Sequence, residues 1–204
     1  PTLFRSPPVL VGASMGGLLG LYAQAHRDPP PFQALVLVDI APRWDDAGVE
    51  RILDFMTAHP EGFDSPEHAI DVIAAYLPHR PRRKRVEELE PLLARRDDGR
   101  WRWHWDPRMI DGIGRRGGEY QSRLLDATER INVPTLLVSG GRSELIGQDH
   151  VAEFLQRVPH ARHARLPQAT HMVVGDDNDA FTRTILDFMS TLPAGNPTPA
   201  GALR

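Results

Sequence analysis

Residues 8–17 have the sequence PVLVGASMGG, and this short stretch decides the fold. It begins with Pro8 to Val11, an apolar run rich in β-branched residues, which is typical of a strand buried on both faces. Two glycines close the stretch, and the residues after it have apolar side chains at helical spacing, namely Leu18, Leu19, Leu21, Tyr22 and Ala25. The sequence here therefore predicts a strand, a tight turn and a helix.

The turn contains the pattern Gly-x-Ser-x-Gly, as Gly12-Ala13-Ser14-Met15-Gly16. Between a buried strand and a helix, this pattern exposes the serine side chain at the edge of the sheet. Side chains at Gly12 and Gly16 are expected to collide with neighbouring backbone. The backbone N–H of Met15 begins the helix, where the positive end of the helix dipole favours an oxyanion. We therefore predict Ser14 as a nucleophile and the Met15 N–H as an oxyanion donor.

Two later segments repeat the buried-strand pattern. Ala34 to Val38 ends at Asp39, and Val133 to Val138 ends at Ser139-Gly140-Gly141. Strands that alternate with helices favour the α/β class, with a mostly parallel sheet flanked by helices. The sheet core is predicted to comprise residues 1–42 and 132–192.

About 90 residues separate the second and third of these strands, which is far longer than an ordinary connection. Helical patterns within them predict a small helical cap, inserted over residues 43–131. Within this insertion, Trp101-Arg102-Trp103-His104-Trp105 alternates indoles with polar side chains. Trp103 and Trp105 are candidate substrate contacts, although such aromatic residues also serve in packing. The tail 193–204, rich in Pro, Gly and Ala, is expected to be disordered.

A serine nucleophile needs a base, and His171 is the candidate because it follows the last predicted strand in the loop Ala169-Thr170-His171-Met172. The chain order is then serine, acid, histidine. Glu144 is the carboxylate nearest to the end of the third strand, and Asp149 is the next nearest. Asp39, at the end of the preceding strand, is the alternative acid, because it can reach the same histidine from a different strand.

The bulk composition indicates a soluble protein with a small-molecule partner. The 204 residues carry a formal net charge of −3, so there is no broad basic field for nucleic acid. The sequence has no cysteine, which excludes disulfides and thiolate metal sites and leaves the cytoplasm as the favoured compartment. No apolar run approaches the roughly 20 residues of a membrane helix. The glycine turn has neither the lysine of a phosphate loop nor the spacing of a dinucleotide site, so no cofactor and no metal are expected.

Four stretches together resemble the α/β-hydrolase fold family, in particular bacterial members with a short helical cap: residues 9–17, 35–42, 134–141 and 175–181. The resemblance implies a serine hydrolase that acts on small carboxylic esters. Dehalogenases and epoxide hydrolases of this fold carry an aspartate at the nucleophile position, so Ser14 argues against them. Cofactor-free peroxidase-like chemistry is a further alternative within the family.

The sequence departs from the family pattern in two ways. The family usually carries Asp where Glu144 stands, and it normally has four strands before the nucleophile strand, whereas about a dozen residues precede Ser14. The absent part would include the loop that supplies a second oxyanion donor. It would also leave the strand Pro8 to Val11 as an open edge, through which a homo-oligomer is expected to form. An inactive remnant that serves as a binding module is therefore the alternative function.

Overall fold

The computed structural model describes residues 6–78, 83–110 and 117–193. The elements of these residues, in chain order, are β1 (Val9–Ala13), α1 (Met15–His26), β2 (Ala34–Val38), α2 (Asp46–Thr57), α3 (Pro66–Tyr76), α4 (Val86–Leu89), β3 (Leu93–Arg95), β4 (Trp101–Trp103), α5 (Gly117–Thr128), β5 (Thr135–Gly140), α6 (Gln148–Arg157), β6 (Arg162–Leu166), α7 (Val173–Asp176) and α8 (Asn178–Ser190). The described residues form two compact units, the first comprising residues 6–48 and 117–193, and the second residues 49–78 and 83–110.

The first unit is built on a four-stranded parallel sheet with the order β1-β2-β5-β6. The alternating residues Ala34, Val36 and Val38 of β2 join a core that includes Val173 and Phe188, from α7 and α8. The side chain of Leu37 lies on the opposite face, near the start of α1. All five residues of β2 are buried because both faces of the strand are covered. The predicted α/β class with a mostly parallel sheet is confirmed.

The same sheet has edges at β1 and β6 within the described residues. On β1, Val11 is 46% exposed, whereas the corresponding position of β2, Val36, is fully buried. Within the described ranges, no helix has the length and apolar character required to cross a membrane. The tail that is predicted to be disordered lies outside the described residues from residue 194 onward.

The second unit contains α3, α4 and an antiparallel hairpin formed by β3 and β4. Its core consists of Phe63, Ala69, Ile70, Leu89 and Leu93. The sequence pattern predicts a helix from Val86 to Leu93, but α4 ends at Leu89 and a 3₁₀ turn follows. Pro91 lies in that turn, and its missing N–H prevents the α-helix from continuing. Leu93 then pairs with Trp103, so the unit has a strand pair that the sequence analysis missed.

Candidate active site

Ser14 occupies the turn between β1 and α1, with a backbone conformation that non-glycine residues rarely adopt (φ 49°, ψ −127°). Its backbone N–H donates to Val38 O at 3.1 Å, and its carbonyl accepts from the Gly17 and Leu18 N–H groups at 2.9 and 3.3 Å. These bonds hold the residue between the end of the sheet and the first turn of the helix. Such a backbone costs on the order of 1–3 kcal/mol, so it persists only where the surroundings enforce it.

The glycines of this turn differ in how closely they are packed. A Cβ at Gly12 would come within 2.6 Å of Gly17 N, and a Cβ at Gly17 would come within 2.8 Å of Gly12 O. A Cβ at Gly16 would meet nothing within 4 Å. The expected collision is therefore found at Gly12 but not at Gly16. Gly17 is the second position that needs glycine, because the start of α1 crosses directly over the end of β1.

Asp39 is the first residue after β2 and is fully buried. Val38 pairs with Ala13, so Asp39 and Ser14 follow the ends of neighbouring strands in register. The Asp39 backbone also has a positive φ of 49°. Its Oδ1 accepts from the Gly140 N–H at 2.7 Å, and its Oδ2 accepts from Ser143 Oγ at 2.5 Å. A buried carboxylate needs hydrogen-bond donors, and this one has them from two directions.

His171 completes this group of side chains. Its Nδ1 lies 2.9 Å from Asp39 Oδ2, and its side chain is 15% exposed. Because an ionised carboxylate only accepts hydrogen bonds, the proton of the neutral ring is assigned to Nδ1. Nε2 is then the nitrogen that can take up a proton, which is the state a general base requires.

The loop that carries His171 is fixed at both ends. The Thr170 N–H and hydroxyl both donate to Asp176 Oδ2, and the Thr170 Oγ1 accepts from the Met172 N–H at 3.2 Å. On the other side, a Cβ at Gly140 would come within 2.4 Å of Thr170 O. The end of β5 must therefore be glycine for the histidine loop to approach. Asp176 is a residue that the sequence analysis did not single out, although it lies in one of the quoted family stretches.

The structure changes the order of preference among the candidate acids. Glu144, the first choice, and Asp149 line an open surface depression, and Asp149 also belongs to the first turn of α6. The chain turns after Gly140 so that the Ser143 hydroxyl reaches Asp39 at the end of the sheet. The contact with His171 Nδ1 that was assigned first to Glu144 is made by Asp39.

The two tryptophans proposed as substrate contacts belong to the second unit. The Trp103 ring packs edge-on against Phe63, with the ring centroids 5.1 Å apart, and tilts against Phe55 at 6.2 Å. Trp105 follows the end of β4 and is half-buried. The contacts of Trp103 are those of a packing residue. Among the residues that the structure describes, no group of three or more histidine and carboxylate side chains is arranged to hold a metal ion.

His163 on β6 lies near this site, because its Nε2 is 2.8 Å from the hydroxyl of buried Ser139, the residue before Gly140. The residue as a whole is exposed, but the bonded side of the ring is turned to the sheet. Burial, and then the charge of Arg165, lower the pKa of His163 below its ordinary value of 6.5.

This shift predicts a loss of stability in acid. In the folded protein His163 resists protonation, whereas the unfolded chain binds the proton as soon as the pH falls below about 6.5. The contribution of neutral His163 to the free energy of unfolding is complete above pH 6.5. It is lost as the pH falls from 6.5 to the lower pKa of the folded protein. Urea unfolding at pH 7.5 and 5.5 should show a larger drop in wild type than in His163→Gln. Equal drops in the free energy of unfolding of the two proteins would contradict a lowered pKa of His163 in the folded protein.

Comparison with known proteins identifies relatives and a matching family. The sequence model of the alpha/beta hydrolase fold matches residues 3–177. The 3-hydroxybutyrate-oligomer hydrolase of Cupriavidus necator is 28% identical over 172 residues, which cover 78% of this chain and 57% of that protein. Esterase Rv0045c of Mycobacterium tuberculosis is 28% identical over 188 residues, which cover 89% of this chain and 60% of that protein. The chain thus spans about three fifths of the length of these two relatives.

Solved structures share the same fold. That of an E-2-(acetamidomethylene)succinate hydrolase superposes with a TM-score of 0.76 at 22% identity, covering 93% of this chain and 69% of the other. A crystal structure of the Mycobacterium tuberculosis esterase Rv0045c gives a TM-score of 0.66 at 27% identity, covering 90% of this chain and 61% of the other.

Proposed function

The chain belongs to the alpha/beta hydrolase fold family, and we propose that it is a serine hydrolase that cleaves small carboxylic esters through an acyl-serine intermediate. Ser14 is the nucleophile, His171 the general base, and Asp39 the acid that orients the histidine. Two relatives support an ester-cleaving activity by their names, one an esterase and the other a hydrolase of 3-hydroxybutyrate oligomers.

The first half-reaction forms the acyl-enzyme. Ser14 Oγ attacks the ester carbonyl carbon while its proton passes to His171 Nε2. Asp39 holds the proton on Nδ1 and stabilises the imidazolium that forms. When the tetrahedral intermediate collapses, the bond between the carbonyl carbon and the alcohol oxygen breaks. The proton on Nε2 then passes to the departing alcohol.

The second half-reaction reverses these roles with water. His171 Nε2 takes a proton from water as the water oxygen attacks the acyl carbon, and then returns that proton to Ser14 Oγ as the carboxylic acid leaves. In both halves the carbonyl oxygen becomes an oxyanion. The Met15 N–H, at the first residue of α1, is the proposed donor to it, because N–H groups of the first helical turn have no acceptor within the helix.

The observation that carries the proposal is the fully buried Asp39 carboxylate, which is bonded to His171. It lies at the carboxyl end of β2, and Ser14 lies at the same end of the neighbouring strand β1. Burying a carboxylate beside a histidine costs stability unless both are paired, so the arrangement favours a functional role over a surface pairing.

The test is hydrolysis of p-nitrophenyl acetate and butyrate by the 204-residue chain. Saturable release of p-nitrophenol is expected, with an initial burst if deacylation is slow. Ser14→Ala, with circular dichroism to show that it is folded, is the control for reaction at other surface groups. Rates that are equal in wild type and Ser14→Ala would refute the serine mechanism and favour the inactive binding module.

A further inference from the structure

Ser143 supplies a second hydroxyl to this site, and no step of the proposed reaction uses it. Its Oγ lies 2.5 Å from Asp39 Oδ2, the same oxygen that accepts from His171 Nδ1 at 2.9 Å. The other carboxylate oxygen accepts from the Gly140 N–H. The buried carboxylate therefore has a donor on each oxygen besides the histidine.

The surroundings of Ser143 fix the direction of its hydroxyl proton. Its Oγ accepts from the Leu145 N–H at 3.1 Å and from the Ile146 N–H at 3.4 Å. A hydroxyl has two lone pairs and one proton, so these two amides occupy the lone pairs and the proton is left for Asp39. The side chains of Leu145 and Ile146 are buried at 1% and 3% exposure, which anchors the backbone that supplies the two amides.

We propose that Ser143 is a positioning residue for the reaction, whose hydroxyl fixes the Asp39 carboxylate so that Oδ2 holds the His171 Nδ1–H. The proposal rests on the proposed serine-hydrolase function. A short hydrogen bond from a hydroxyl to a carboxylate is stronger than one between neutral groups and sets the direction of the bonded oxygen. Without it, Asp39 Oδ2 keeps only the histidine as a donor, and the Gly140 N–H alone fixes the other oxygen on the protein side.

The kinetic test compares Ser143→Ala and Ser143→Thr with wild type. Loss of a hydrogen bond to a charged group is expected to lower kcat about 10- to 100-fold in Ser143→Ala. KM should stay close to wild type, because Ser143 bonds the acid rather than the substrate. Ser143→Thr keeps the hydroxyl and is expected to restore most of the kcat.

Ser139→Ala is the matched control. Ser139 is a buried serine on β5, at 3% exposure, and its hydroxyl bonds His163 instead of Asp39. Its removal is expected to leave kcat near wild type. If Ser143→Ala does not fold, Ser143→Cys takes its place, because a thiol keeps the size but is a weak donor. Ser143→Cys should also lower kcat.

A spectroscopic readout makes the result independent of turnover. The His171 Nδ1 proton, assigned by its absence in His171→Gln, should resonate downfield of the backbone amides in wild type. In Ser143→Ala this signal should shift and exchange faster with water, and Ser143→Thr should restore it. An unchanged signal and a kcat within about twofold of wild type in Ser143→Ala would overturn the positioning role. A wild type without esterase activity would refute the hydrolase proposal instead, and the spectra would still decide the role of Ser143.

Discussion

Asp39→Asn is expected to lower kcat for ester hydrolysis on the order of 10⁴-fold, the effect of this change in another Ser-His-Asp site. The asparagine amide can donate to His171 Nδ1, which stabilises the tautomer whose proton lies on Nε2. That tautomer cannot take the proton of Ser14. Steady-state hydrolysis of p-nitrophenyl acetate measures the effect, and enzyme concentrations high enough to detect the residual rate are required.

Glu144→Gln is the matched variant, because it makes the same chemical change at the carboxylate that the sequence favoured. It is expected to retain nearly the wild-type kcat. Asp39 also accepts hydrogen bonds from Gly140 and Ser143, so Asp39→Asn is expected to change stability as well as kcat. Unfolding of both variants is therefore compared by circular dichroism. A large loss in Glu144→Gln with an active Asp39→Asn would reverse the assignment of the acid.

Ser14→Ala is expected to lower kcat by about 10⁴- to 10⁶-fold, because the residue forms the covalent intermediate. Ser14→Gly should be as inactive, but it differs in stability. Glycine adopts a positive φ at little cost, so it should relieve the strain at φ 49° and raise the free energy of unfolding by about 1 kcal/mol relative to Ser14→Ala. Urea unfolding measures this difference. A glycine variant less stable than the alanine variant would show that the turn is not strained.

The sequence predicts the parallel sheet and the turn at Ser14 because both depend on local pattern. A strand covered on two faces must be apolar along its whole length, as residues 34–38 are. The turn at Ser14 needs small residues wherever the helix crosses the strand, and Gly12 and Gly17 stand at those points. These requirements act within a few residues of one another and so can be recognised in the sequence.

The carboxylate that pairs with His171 could not be chosen in the same way. Asp39 and Glu144 both come soon after a buried strand, and the carboxyl ends of parallel strands lie at one edge of the sheet. Which carboxylate meets His171 depends on the positive φ of Asp39 and on the path of the chain from Gly140 to Ser143. The donors on Asp39 come from residues about 100 positions away in the chain, so no local pattern reports them.

One helix and two strands were also missed because their patterns are weak. Helix α5 begins with the two glycines Gly117 and Gly118, which are poor helix formers, and its helical state depends on packing against α1. The strands β3 and β4 have three residues each, and the alternation at residues 101–105 is too short to distinguish a strand from other extended chain.

The most direct test of the serine-hydrolase proposal is treatment of the folded chain with a fluorophosphonate probe, followed by mass spectrometry of the peptides. A single adduct on Ser14 is expected in wild type, absent in Ser14→Ala and formed far more slowly in His171→Ala and Asp39→Asn. A folded chain that takes up no probe, or that carries the adduct on another residue such as Ser143, would contradict the assignment of Ser14 as the activated nucleophile.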